Sequence, residues 1–107
     1  MIEAMNKVKT PVKGIPSEVK EQFDLSVILV KNLKKKPSDE ELLTLYGLYK
    51  QSLEGDCRKP QPGFLELKET AKWKAWAKLK GTAPVDTMTT YTNLVLKLAE
   101  RYGLAQG

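Results

Sequence analysis

The sequence predicts an all-α domain, a skewed up-down four-helix bundle with a long loop between its second and third helices. Three observations predict it. Apolar residues recur at helical spacing in four separate windows, none of which alternates as a strand would. Prolines and glycines fall where those windows should stop. At 107 residues, with 41% apolar and 29% charged side chains, the chain has the size and make-up of one modest globular domain.

Residues 1–16 carry Pro11, Gly14 and Pro16 and no sustained periodicity, so they are expected to form a flexible N-terminal extension to a domain at 17–104. Ser17 is expected to cap a first helix over 18–34, on which Val19, Phe23, Val27, Val30 and Leu33 make an apolar stripe. Lys34, Lys35 and Lys36 crowd its C-terminal end, where positive charge suits the helix dipole, and Pro37 follows as a stop. Leu25, Ile28 and Leu29 extend the apolar surface almost all round. Val8, Val12 and Ile15 are expected to fold over it; the other reading leaves it free to dock a partner or a membrane.

Ser38, with Glu41 three residues on, spells a capping box for a second helix over 39–53 that ends near Gly55. Asp39, Glu40 and Glu41 also place negative charge in its first turn. Residues 54–67 are rich in breakers, and a connection of that length in a small domain often belongs to a binding site. A third helix is expected over 68–80, closed by Gly81. Thr82 is expected to cap a fourth over 83–102, with Pro84 in its first turn and Gly103 beyond its end. Met88, Tyr91, Val95, Leu98 and Tyr102 form its stripe.

The chain has no histidine and one cysteine, Cys57, which excludes an internal disulfide, the usual Cys/His zinc sites and any Ser-His or Cys-His nucleophile. No paired acids stand out, so no enzyme activity, cofactor or metal is expected. No apolar run approaches the roughly 18 residues of a membrane span, and Met1 to Thr10 lacks an apolar signal core, so a cytoplasmic location is expected. The net charge of +5 favours anionic partners without choosing among them.

Two segments carry the candidate binding chemistry. On the second helix Leu42, Tyr46, Tyr49 and Leu53 share a face, with Lys50 one turn beyond Tyr46. Two phenols and an ammonium above leucines can stack a flat ring and hold a phosphate beside it. On the third helix Lys72 sits within an apolar arc set by Trp76 and Leu79, with Lys68 one turn before. A lysine there must reach water or meet an anion. Trp73 and Trp76 read as packing anchors.

These residues resemble the acyl-CoA-binding protein family of four-helix carriers. The resemblance rests on Lys36-Pro37-Ser38-Asp39-Glu40-Glu41-Leu42, Tyr46-Gly47-Leu48-Tyr49-Lys50-Gln51, Gly55-Asp56, Pro62-Gly63, Ala71-Lys72-Trp73-Lys74-Ala75-Trp76, Leu79-Lys80-Gly81-Thr82 and Tyr91. It runs without an evident gap from about Phe23 to Gly103. Gln61 departs from it, standing where family members often carry a basic residue.

The resemblance implies a long-chain fatty acyl-CoA ligand held by Lys31, Tyr46, Gly47, Leu48, Tyr49, Lys50, Lys68, Lys72 and Tyr91. In that scheme the lysines and Tyr46 face the 3′-phosphate, Tyr49 stacks on adenine and Tyr91 borders the ligand from the facing helix. Leu43 and Met88 are expected to line the tail. Burying ten methylenes at about 0.8 kcal/mol each would contribute about 8 kcal/mol gross, so the tail should dominate affinity. The resemblance also implies a monomeric, non-catalytic transporter that buffers the acyl-CoA pool. It would make transient contacts with acyl-CoA-using enzymes or a membrane surface and would bind no nucleic acid. The competing reading is a basic helical module that docks another protein or nucleic acid.

Overall fold

The computed structural model describes residues 14–105. Helix α1 spans Ser17–Leu29 and runs into a 3₁₀ turn at Val30–Asn32; α2 spans Asp39–Glu54, α3 Leu67–Ala77 and α4 Pro84–Tyr102. Among the described residues no strand forms, and one isolated antiparallel bridge joins Leu33 to Leu104. Val8 and Val12 lie outside the described residues.

Local signals explain α2 best. The Ser38 hydroxyl accepts the Glu41 N–H at 3.1 Å while the Glu41 carboxylate accepts the Ser38 N–H at 2.9 Å, a complete capping box. Gly55 ends the helix at φ 77°, a conformation that L-residues other than glycine rarely adopt.

Several ends of the other helices depart from expectation, the end of α1 because non-local bonds compete and the rest because neighbouring turns do. Pro16, not Ser17, stands at the N-cap of α1; its carbonyl accepts from Val19 and Lys20, and Ser17 is already helical. α1 gives way at Leu29 rather than continuing to residue 34. Leu33 turns extended there, Lys34 N–H donates to the Gly103 carbonyl at 2.9 Å, and Ala105 N–H donates to the Asn32 carbonyl at 2.7 Å. Backbone bonds to the far terminus thus replace those of a last helical turn. α3 tightens after Ala77 into successive i to i+3 bonds, Leu79 to Trp76 and Lys80 to Ala77. Thr82 belongs to that turn, donating its N–H to the Leu79 carbonyl, so Ala83 becomes the N-cap of α4 with Pro84 first in the helix.

Contacts between helix ends give the sense of each helix. The Trp76 indole N–H, late in α3, donates to the carbonyl of Gly55, just past α2, at 2.8 Å. The starts of the same two helices, Asp39 with Leu42 and Leu67 with Lys68, line one common groove. So α2 and α3 run in the same sense, and the loop at 55–66 carries the chain back along the length of α2. A 16-residue helix is about 24 Å long, which explains why the loop cannot be short.

α4 runs against α2. Ser52 and Thr87 share a buried hydroxyl bond at 2.8 Å near one end, and Tyr102 donates to Glu41 at 2.8 Å near the other. The skew of the bundle is this pairing of two same-sense helices across an opposed one.

The core is built from Phe23 of α1, Leu45 and Leu48 of α2, and Met88, Tyr91, Val95 and Leu98 of α4, closed at one end by Ile15. Ile15 therefore belongs to the folded domain, not to an extension. Leu29 packs against the core as a half-buried residue, while Leu25 and Ile28 remain exposed.

Candidate functional site

α2 and α3 approach closely at Gly47. A Cβ there would lie 2.8 Å from the Ala75 carbonyl carbon, so no larger residue fits without parting the helices. On the N-terminal side of this crossing the two helices leave a groove of about 540 Å³. α2 contributes Asp39, Leu42, Leu43 and Tyr46, spaced three and four apart along one face. α3 contributes Leu67, Lys68, Ala71 and Lys72 at the same spacing. The floor is leucine and alanine; the rim carries a phenol, two ammonium groups and one carboxylate.

The Lys72 ammonium stands 5.1 Å from the centroid of the Tyr46 ring and 3.7 Å from the Glu69 carboxylate. This cation–π contact holds the lysine over the groove beside a hydroxyl-bearing ring. Both side chains could meet one anion entering from solvent. Lys68 is exposed on the same rim.

The remaining expected site residues are distributed differently. Lys50 ion-pairs with Glu54, one turn on, and lies 5.0 Å over the Trp76 ring. The hydrogen bond from Lys50 is the main cause of a lowered Glu54 pKa, and the same bond raises that of Lys50. Lys59 approaches the same indole at 5.9 Å. Lys31 is exposed in the 3₁₀ turn after α1 and is not among the groove-lining residues.

Tyr49 is not among the groove-lining residues; its ring centroid lies 6.1 Å from that of Phe23 and 6.3 Å from that of Tyr91. Tyr91 is 5% exposed and packs edge-on to Phe23 at 5.1 Å. Burial pushes its phenol up to about 12, with the neighbouring Tyr49 adding to the shift.

Gly47 and Leu48 are packing residues here: Gly47 lies under the α3 backbone and Leu48 is buried in the core. Met88 is likewise buried in the core, so of the two tail positions expected from sequence only Leu43 opens onto the groove. Leu67 and Ala71 went unnoticed in the sequence. Each directly precedes one of the two groove lysines, and that register was the signal that could have found them. Glu54 was also missed, although its i+4 spacing from Lys50 marks it as a counterion.

Both tryptophans act as struts. Trp73 donates its indole N–H to the Lys59 carbonyl at 2.8 Å, tying the long loop to α3. The Asp56 carboxylate accepts from Gly81 N–H at 2.8 Å and from the Gln51 amide at 2.9 Å, which lowers its pKa. No cluster of metal-ligating side chains occurs among the described residues, nor is any of the described helices long and apolar enough to cross a membrane.

Comparison with known proteins bears on this groove. Residues 20–95 match the family model described as acyl CoA binding protein. A relative from the genus Hypsibius, named as an acyl-CoA-binding protein, is 49% identical over 87 residues, covering 81% of this chain and 98% of the relative. The crystal structure of Oryza sativa acyl-CoA-binding protein 2 superposes with a TM-score of 0.76 at 34% identity, over 79% of this chain and 92% of that one. The solution structure of the yeast acyl coenzyme A binding protein superposes with a TM-score of 0.62 at 42% identity, over 76% and 94%.

Proposed function

This chain belongs to the acyl-CoA-binding protein family, and from that premise we propose that it binds medium- to long-chain fatty acyl-CoA as a monomeric, non-catalytic carrier in the cytoplasm. It takes up acyl thioesters of coenzyme A, buffers their free concentration and delivers them to acyl-CoA-using enzymes. One observation carries this reading: an apolar groove whose rim holds Tyr46, Lys68 and Lys72 together.

The chemistry of the ligand matches the two halves of that site. Phosphates of the coenzyme A head meet Lys68, Lys72 and the Tyr46 hydroxyl, each charge-assisted bond contributing about 1.5–3 kcal/mol before desolvation. The first methylenes of the tail cover Leu42, Leu43, Leu67 and Ala71, at about 0.8 kcal/mol for each buried CH₂. Lys50 joins the head site if a phosphate displaces Glu54 from it. Tyr49 offers adenine a ring already braced by Phe23 and Tyr91.

Calorimetric titration with palmitoyl-CoA, using free coenzyme A as reference, tests the reading. One-to-one submicromolar binding, weakened about tenfold or more without the acyl chain, is expected from the burial of the tail. Equal or tighter binding of free coenzyme A would overturn the role of the groove, and absence of binding would overturn the carrier function.

A further inference from the structure

Across the seam between α2 and α3, two lysines lie over two aromatic rings in opposite directions. Lys72 of α3 stands 5.1 Å from the Tyr46 ring of α2, and Lys50 of α2 stands 5.0 Å from the Trp76 ring of α3. Tyr46 and Lys50 are one turn apart on α2, as are Lys72 and Trp76 on α3, and the two helices run in the same sense. The contacts are therefore successive rungs of one seam, about 6 Å apart along it. Lys59 joins the second rung from the loop, at 5.9 Å from the Trp76 ring.

Both seam lysines already hold an anion. Lys50 pairs with Glu54, four residues on, and Lys72 pairs with Glu69, three residues back, at 3.7 Å. Each carboxylate comes from the lysine's own helix, so neither pair ties one element to another. With side chains 48% and 59% exposed, Glu54 and Glu69 stabilise the fold only slightly through these pairs. Glu54 is also the last residue of α2, where the helix dipole disfavours negative charge. Stability does not account for the two carboxylates. Their effect falls on binding, because a phosphate approaching either ammonium meets a like charge already seated there.

We propose that Glu54 and Glu69 are built-in competitors for the phosphates of the ligand head, and that they set how tightly the head is held. The identity of that ligand rests on the acyl-CoA reading; the competition itself requires only a phosphate ester. The hydrogen bond and charge of Lys50, with the charge of Lys59, outweigh desolvation and lower the Glu54 pKa, so this competitor is ionised at neutral pH. Glu54 is the stronger of the two, because the Lys50 side chain is 19% exposed against 41% for Lys72, and water screens its pair less. The leucine and alanine floor of the groove is untouched by either carboxylate. They therefore loosen acylated and unacylated ligands by the same factor and speed the release of both.

Adenosine 3′,5′-bisphosphate, which carries phosphates but no tail, is titrated into the full chain and its variants and followed by backbone amide shifts in nuclear magnetic resonance. Glu54→Gln should tighten binding about threefold and Glu69→Gln about twofold, the range expected when one partly exposed competing charge is removed. Glu21→Gln, which removes the same charge on α1, should leave binding unchanged. The gain from Glu54→Gln should vanish in a Lys50→Ala background, and that from Glu69→Gln in a Lys72→Ala background. Unchanged or weaker bisphosphate binding by Glu54→Gln overturns the proposal. So does an equal gain from Glu21→Gln, which would reduce the effect to net charge, or a gain that persists without Lys50. Calorimetry with palmitoyl-CoA separates the two readings. Bisphosphate gains without palmitoyl-CoA affinity in any variant overturn the carrier reading alone, and palmitoyl-CoA affinity without those gains overturns this one alone.

Discussion

Tyr46 and Tyr49 lie three residues apart on one helix, yet their surroundings have little in common. Tyr46 looks across an open groove at α3, with the Lys72 ammonium over its ring. Tyr49, on the adjoining edge of the same face, packs into an aromatic cluster with Phe23 of α1 and Tyr91 of α4. Three residues leave two side chains about 60° apart around a helix, and here that offset is enough for one to border a groove and the next a core. The comparison teaches that α2 serves two neighbours at once. One face binds α4 tightly, and the other is held off α3 by a crossing at Gly47 that leaves space beside it.

The closed side should break hardest. Phe23→Ala removes the ring on which both Tyr49 and Tyr91 pack, and a loss of about 3–5 kcal/mol in denaturant unfolding is expected. A loss under about 1 kcal/mol would show that the aromatic cluster is not part of the cooperative core.

Alkaline pH probes the same cluster. The folded state holds the Tyr91 phenol protonated up to about 12, above the ordinary value of 10. Its contribution is therefore intact below pH 10 and lost as pH rises from 10 through 12, because the unfolded chain releases that proton first. The full effect is about 2–3 kcal/mol, from roughly 1.4 kcal/mol for each pH unit that separates the folded value from the ordinary one. Tyr91→Phe should flatten this alkaline decline relative to the wild-type chain; an unchanged decline would place the cause elsewhere.

Gly47→Ala tests the crossing. An alanine would ordinarily stabilise a helix interior by about 1 kcal/mol, but here the added methyl meets the Ala75 carbonyl. Overpacking should win, giving a net loss of about 1–3 kcal/mol in thermal unfolding and weaker palmitoyl-CoA binding as the groove changes width. A stabilised variant would refute the close approach of the two helices.

The open side should show a smaller effect, and in binding instead of stability. Lys72→Ala removes an exposed pair with Glu69 and a cation–π contact, so the melting temperature should hardly move. Palmitoyl-CoA affinity should fall about tenfold, the value of one charge-assisted phosphate bond. A shift in stability with affinity intact would make Lys72 a structural residue and sharpen the contrast out of existence.

Legibility from sequence followed the range of the interactions. The Ser38–Glu41 box, Pro84 at the head of α4 and the stops at Gly55 and Gly103 depend on neighbours within four residues, and each is realised. The end of α1 was misjudged because distant partners decide it, Gly103 bonding Lys34 and Ala105 bonding Asn32; Thr82 is taken instead by a competing local turn, its N–H on Leu79, while its carbonyl accepts from the distant Gln51 amide at 3.0 Å. Glu41 shows both scales at once. Its capping bond was readable, while the approach of Tyr102 and Arg101, which helps hold its pKa below the usual range after the Ser38 backbone bond, was not.

By itself the sequence determined that four amphipathic helices would form, which residues would be apolar on each, and which aromatic and basic side chains were available to meet an anionic, partly apolar ligand. Helical periodicity, capping and charge are properties of short segments, and a segment carries them wherever it is placed. Only the tertiary structure decided that α2 and α3 run in the same sense, that Tyr46, Lys68 and Lys72 share a groove, and that Tyr49 and Tyr91 join Phe23 instead. Those outcomes depend on the crossing of α2 and α3 at Gly47 and on a 12-residue loop, 55–66, returning along α2. The physical reason is that a helix fixes the angles between its own side chains but not the identity of what stands opposite each of them. Close packing between helices supplies that identity.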